Sequence, residues 1–266
     1  MPEQLLQVLF LGLLQGITEW LPISSTAHLK LIDNLLLNLS TTPLFNLVLH
    51  IGTLTAVVFF FRKDIQNMLS ALIKFDFKSE SGALIPPIAV ATIPTAIIGL
   101  IYVLLKGETF QTLPIIAVTF LVGATIVYSS RFGQEKTEKI SYKNVVLIGI
   151  AQGFAVFPGL SRSGVTISTA LLLGLRREKA FKFSFLLSIP AIIGDFVVEL
   201  YNQRGVFATT GIDPINIIAG FAVAVVGGYL ALKLVAQTIR SKKFHYFAIY
   251  TATIGTILLI SSILIL

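Results

Sequence analysis

Six stretches of this 266-residue chain are long and apolar enough to cross a bilayer, with most of the charged residues between them. They run over about 45–61, 84–105, 113–130, 180–200, 214–236 and 245–265. A helix needs roughly 20 apolar residues to span the hydrocarbon core. The chain therefore reads as a polytopic all-α membrane protein, a single integral domain over 1–266. Composition agrees: 55% of residues are hydrophobic and 12% are charged, against about 25% charged in soluble domains. That excludes a soluble enzyme, a disordered chain and a coiled coil. The net charge of +7 comes without a basic cluster interleaved with aromatics, so it points to basic loops and to no nucleic-acid partner. With no cysteine there is no disulfide, thiol chemistry or thiolate metal site. The first cation is Lys30, so the apolar run from Leu5 is expected in the mature fold rather than in a signal peptide.

Two further apolar regions do not read as simple spans. Region 4–40 is interrupted by Pro22-Ile23-Ser24-Ser25-Thr26-Ala27-His28, and region 144–176 by Pro158-Gly159-Leu160-Ser161-Arg162-Ser163-Gly164. A broken backbone at membrane depth survives only when it is buried in protein or lines a wet cavity. Both regions are expected to be re-entrant helix–loop–helix hairpins.

The halves of the chain, about 1–134 and 135–266, resemble each other. Gln15-Gly16 recurs as Gln152-Gly153, and Pro22 and Ser24 recur as Pro158 and Ser161. The run Phe45 to Leu49 recurs as Phe183 to Leu187, and Gly123 to Ser130 as Gly255 to Ser262. Each half is then one hairpin plus three spans. Three is odd, so the second half enters from the opposite side: an inverted repeat, with its site expected near midplane where the broken helices meet. Loop charge tests this topology. With the N-terminus outside, the inner loops hold fifteen of the 20 cations, among them Arg62, Lys63, Lys139, Arg176 and Lys243. The outer segments hold three: Lys30, Lys106 and Arg204. The positive-inside bias puts both termini on the outer side.

The breaks carry the chemistry. Gln15 and Glu19 are four apart on one helix face. Ser24, Ser25 and Thr26 stand where a second limb begins, with His28 one turn in. Hydroxyl residues cap helices, and a helix N-terminus offers free N–H groups to an anion. Glu19 and His28 are ionisable groups at membrane depth, which is costly unless they are paired or functional. The blander alternative is that the hydroxyls only cap the broken helix and Glu19 pairs with His28. In the second break Ser161 is placed to cap the next limb, and Ser163 and Thr166 follow. Arg162, a planar and permanent donor, suits phosphate. Its alternatives are a structural ion pair to Glu19 and a phosphate clamp, with two half-helix N-termini converging on one anion. His50 is a candidate for lining the site or for a core hydrogen bond. Asp195 and Glu199, near the outer end of a span, are expected to snorkel or to support the site from behind. His245 beside Lys242-Lys243 reads as an inner-surface residue, and Trp20 as packing.

At these breaks the chain resembles the undecaprenyl pyrophosphate phosphatase family of the bacitracin-resistance type. That family's first signature is Glu/Gln-x-x-x-Glu followed by Leu-Pro-x-Ser-Ser-Thr-Gly-His, here Gln15 to His28 with Ala27 where Gly is usual. Its second is Pro-Gly-x-Ser-Arg-Ser-Gly-x-Thr, here Pro158 to Thr166 without exception. The stretch Leu49 to Ala56 looks like a third segment. The resemblance covers essentially the whole chain. It implies hydrolysis of a polyprenyl diphosphate to the monophosphate and phosphate, which recycles the lipid carrier for cell-wall or other glycan assembly and confers bacitracin resistance. It also implies a six-span inverted repeat in the plasma membrane, open to the outer side, and a divalent cofactor, Mg²⁺ or Ca²⁺. Under it, Arg162 with Ser24, Thr26, Ser161, Ser163 and Thr166 would bind the phosphates. Glu19 and Gln15 would hold the metal, and Gln15 leaves one carboxylate fewer than Glu would. Ser25 would be the nucleophile and His28 its base, with direct water attack or His28 as nucleophile left open.

Acid-phosphatase-like lipid phosphatases fit poorly, because the only histidine after Arg162 is His245. A lipid-phosphate flippase or anion transporter on the same inverted repeat is the alternative from another class. It would need binding groups but no nucleophile–base pair. A membrane-embedded lipid substrate is the expected partner, and a homodimer is left open.

Overall fold

The computed structural model describes residues 2–32, 43–105, 107–137, 140–202 and 212–265. Lys106, Lys139, Arg204 and the far limb of the first hairpin beyond residue 32 lie outside the described residues. All regular structure among the described residues is helical, with one isolated bridge between Thr137 and Leu175. The helices are α1 Pro2–Trp20, α2 Ser25–Ile32, α3 Pro43–Phe60, α4 Arg62–Ile73, α5 Ile85–Leu104, α6 Leu113–Ser129, α7 Tyr142–Phe154, α8 Arg162–Leu172, α9 Arg177–Asn202, α10 Pro214–Arg240 and α11 Phe247–Ile265. Five are long and apolar enough to cross a membrane: α5, α6, α9, α10 and α11. The bent pair α3–α4 makes a sixth candidate. These match the six apolar stretches, and the chain is a multi-pass membrane protein. The helix pairs α1–α2 and α7–α8 are the two expected hairpins, each folded back around its break.

One element was not expected from the sequence. Arg62-Lys63-Asp64 opens the 12-residue helix α4, which bends 80° from α3, where a short polar loop was expected. Polar and apolar residues are about equally common in α4, but they segregate to opposite sides of it. Ala71 is buried against the protein while Leu69, Leu72 and Ile73 stay exposed. A helix of that kind lies in the membrane interface rather than through it. The loop behind it is tied to α9 by the Lys179 hydrogen bond to Glu80 at 2.9 Å, which holds the Glu80 carboxyl below the usual carboxylate range.

The helices pack in pairs. α1 lies along α10, and α7, its counterpart in the expected repeat, lies along α5. α6 and α11, expected counterparts of each other, pair together. Glycines four apart let the first two pairs approach. A Cβ on Gly12 would stand 2.5 Å from the Gly220 carbonyl oxygen, and one on Gly149 would stand 2.3 Å from that of Ala91. Without a hydrophobic driving force between helices in lipid, such close backbone contact is what supplies association. The core beneath the breaks is aromatic. Trp20 meets Phe185 edge-on at 5.4 Å, and Phe181 stands 4.7 Å from Phe185. This packing fixes the C-terminal turn of α1, which carries Glu19.

Candidate active site

The breaks meet, and their backbones explain why. Residues 21–24 turn the chain after Pro22, and Ser24 sits at φ +67°, costly for an L residue. Three contacts hold it there. Its Oγ accepts the Gly159 N–H at 3.0 Å, and its carbonyl accepts both His28 Nδ1–H at 2.8 Å and the His28 backbone N–H at 3.3 Å. Gly159 itself sits at φ +102°, and a Cβ there would fall 2.2 Å from Thr119 Oγ1, so only glycine fits. Thr119 donates to the Pro158 carbonyl, pinning the second break to α6. Ser161 caps α8, accepting the Gly164 N–H at 3.2 Å, as its sequence position predicts. The hydroxyls of Ser161 and Ser163 both reach the Leu21 carbonyl, at 3.2 and 3.3 Å.

Glu19 is the hub. Its Oε1 pairs with the Arg162 guanidinium, which crosses from the opposite half. Its Oε2 accepts Ser25 Oγ–H at 2.6 Å and Gln15 Nε2–H at 3.1 Å, with His50 Nε2 at 3.9 Å. The ion pair weighed as an alternative for Arg162 is thus present, yet it does not bury the arginine. Its side chain keeps 19% of its surface against 3% for Glu19. Its other arm donates to the Ser188 carbonyl at 3.3 Å, and its plane lies 5.6 Å from the Trp20 ring.

These groups line a cavity of about 750 Å³ between the N-terminal half of α3 and the C-terminal half of α9. Glu19, Ser24, Ser25, Thr26, Ser161, Arg162 and His50 are on its wall. Other expected site residues are not. Ser163 and Thr166, both on α8, are buried away from the cavity, with Thr166 Oγ1 donating to the Arg162 carbonyl at 2.9 Å. Gln15 is fully buried and works as a donor to Glu19, its own Oε1 unpartnered among the described residues. His28 turns away: Nδ1 is spent on Ser24, and Nε2 accepts the Tyr250 hydroxyl at 2.7 Å, with the rings stacked at 5.7 Å. His50 has the opposite disposition. Its Nδ1–H donates to the Asn46 carbonyl at 2.8 Å, which leaves Nε2 facing Glu19.

Sequence reasoning missed Tyr250, since a tyrosine in an apolar span carries no pattern that singles it out. It expected Asp195 and Glu199 to snorkel or to support the site from behind, whereas both stand on the cavity wall. The signal was available, because a carboxylate inside an apolar span marks a functional cavity by default. For a metal, the described residues hold no group of three or more His, Asp or Glu side chains. The wall does offer oxygen donors from Glu19 and Asp195. That suits a hard cation which keeps its waters and is bound by one or two carboxylates together with substrate phosphates.

Comparison with known proteins agrees with the geometry. Residues 8–257 match the model of the family described as bacitracin resistance protein BacA. An undecaprenyl-diphosphatase of Korarchaeum cryptofilum is 37% identical over 265 residues, covering 96% of this chain and 98% of that protein. Proteins of the same name from Treponema denticola and Caldicellulosiruptor bescii are 38% and 39% identical, covering 94% and 95% of this chain and 94% and 96% of their own. With the family model matched across both breaks and relatives alike from end to end, the chain belongs to the BacA family of bacitracin resistance proteins.

Proposed function

We propose that this chain hydrolyses undecaprenyl diphosphate, or a closely related polyprenyl diphosphate, to the monophosphate and inorganic phosphate. The convergence of Ser25, Arg162 and His50 on the single carboxylate of Glu19, on the wall of a half-open cavity, carries the reading. Phosphoryl transfer asks for positioning and charge neutralisation more than for covalent chemistry by the protein. Arg162 and the N–H groups opening α2 and α8 grip the diphosphate. Ser25 Oγ attacks the terminal phosphorus and passes its proton to Glu19 Oε2, and the polyprenyl monophosphate departs. Water then attacks the seryl phosphorus, with the free Nε2 of His50 taking its proton; Glu19 returns the first proton to Ser25 Oγ as inorganic phosphate forms, and His50 gives up its proton to solvent. The 2.6 Å bond from Ser25 to Glu19 supports Ser25 as nucleophile with a carboxylate base. The engagement of both His28 nitrogens supports a positioning role for that residue, through the strained turn at Ser24. A Mg²⁺ or Ca²⁺ ion would be held by Asp195 together with the substrate phosphates and would neutralise charge on the diphosphate.

The proposal includes two inverted repeats, about 1–134 and 135–266, supported by the equivalent helix pairings. It also includes a plasma-membrane site with the cavity and both termini outside. The supporting observation is that the cavity lies at the opposite end of α3 and α9 from Arg62, Arg177 and Lys182. The test is phosphate release from undecaprenyl diphosphate by purified protein. Release that needs Glu19, Ser25 and Arg162 is expected. Release unaffected by Ser25→Ala would move the nucleophile to water.

A further inference from the structure

A second cavity, of about 640 Å³, opens at the other end of the same helices, where α3 turns into α4 and α10 ends. One side is an aromatic wall: Phe181 stands 6.0 Å from Phe60 and 5.6 Å from Phe61, ring to ring. The other side is charged. Lys182 pairs with Asp64, and Arg240 Nε pairs with Glu178 at 3.2 Å, so those four residues cancel. Lys233 does not cancel. It lies seven residues before Arg240 on α10, about 10 Å deeper into the span at 1.5 Å per residue. No carboxylate pairs with it among the described residues, and its ammonium rests 4.8 Å from the Tyr229 ring centre. A surplus cation at that depth, facing a cavity, calls for an anion.

We infer that this cavity binds the phosphate headgroup of an anionic phospholipid from the leaflet at the basic end of the bundle. Lys233 is the charge contact, and the Phe60–Phe61–Phe181 wall receives the acyl chain. The aromatic wall argues for a lipid over free phosphate, which would gain nothing from it. The surroundings argue for an anionic lipid over a zwitterionic one. Arg62, Lys63, Lys242 and Lys243 flank the same end, and basic pockets between spans recognise acidic headgroups. The site shares no residue with the Glu19 cavity, so it stands whether or not the chemistry proposed there holds.

The test is native mass spectrometry of the detergent-purified full chain titrated with phosphatidylglycerol or phosphatidylcholine. The wild type should retain phosphatidylglycerol in preference. Lys233→Gln should weaken that binding at least about tenfold, equivalent to about 1.4 kcal/mol. Ala236→Trp, which fills the cavity without touching its charge, should do the same and keeps the test open if the lysine variant misfolds. Phosphatidylglycerol bound as tightly by folded Lys233→Gln as by the wild type would overturn the site. So would displacement of the lipid by inorganic phosphate at the same occupancy in wild type and Ala236→Trp, which marks a free-anion site.

Discussion

At the scale of single residues, the site is organised around one buried carboxylate with more partners than oxygens. Glu19 serves Arg162, Ser25 and Gln15 at once, with His50 Nε2 3.9 Å away. Removing Arg162 leaves that carboxylate without its counter-charge, so Arg162→Ala should cost about 3–5 kcal/mol in detergent unfolding as well as phosphate binding. The two histidines should separate in kinetics. His50→Ala should lower kcat with KM little changed, because Nε2 faces the reacting groups. Tyr250→Phe should leave turnover close to wild type and cost about 1 kcal/mol of stability or less, the net worth of one partly buried hydrogen bond. Activity lost equally in Tyr250→Phe and His50→Ala would return His28 to the chemistry. Spacing in the sequence could not separate these histidines. His28 lies three residues after Ser25, which suggests a shared face, but its ring is drawn back onto the carbonyl of Ser24 one turn earlier.

At the scale of elements, the hairpin breaks were legible because their constraints are local. Pro22 ends α1, Ser161 caps α8, and Gly159 adopts the positive φ that other residues resist. Substituting them should be felt locally. Ser161→Ala should destabilise by about 1 kcal/mol through the lost cap. Gly159→Ala should cost more, since the new methyl meets Thr119 Oγ1 and the backbone strain adds about 1–3 kcal/mol. Equal melting temperatures for the two variants would show that the break is softer than its contacts suggest. Helix α4 was not legible in the same way. Its one-sided apolar pattern follows directly on a span, and the polar triplet Arg62-Lys63-Asp64 that starts it looks like the end of a span rather than the start of a helix. The close packing at Gly12 and Gly149 was visible only as glycine in an apolar run, because which helix lies opposite is decided by the whole bundle.

At the scale of the whole molecule, hydropathy and charge were enough for the number and order of spans, and the repeat anticipated that the breaks would meet. What they left open was rotation about each helix axis, which decides whether Gln15 or Asp195 faces the cavity. The proposed orientation has a clean test because the chain has no cysteine. A single cysteine at Ser79 or Lys242 should resist a membrane-impermeant thiol reagent in intact cells, and one at Gln111 should react. The reverse pattern would turn the molecule over. The most direct test of the central claim, that Glu19 activates Ser25 beside Arg162, is phosphate release from undecaprenyl diphosphate by wild type, Ser25→Ala and Glu19→Gln, each shown to be folded. The account predicts about a thousandfold loss or more in both variants, with little further loss when they are combined, because the two act as one unit. Near wild-type release by folded Glu19→Gln would contradict it.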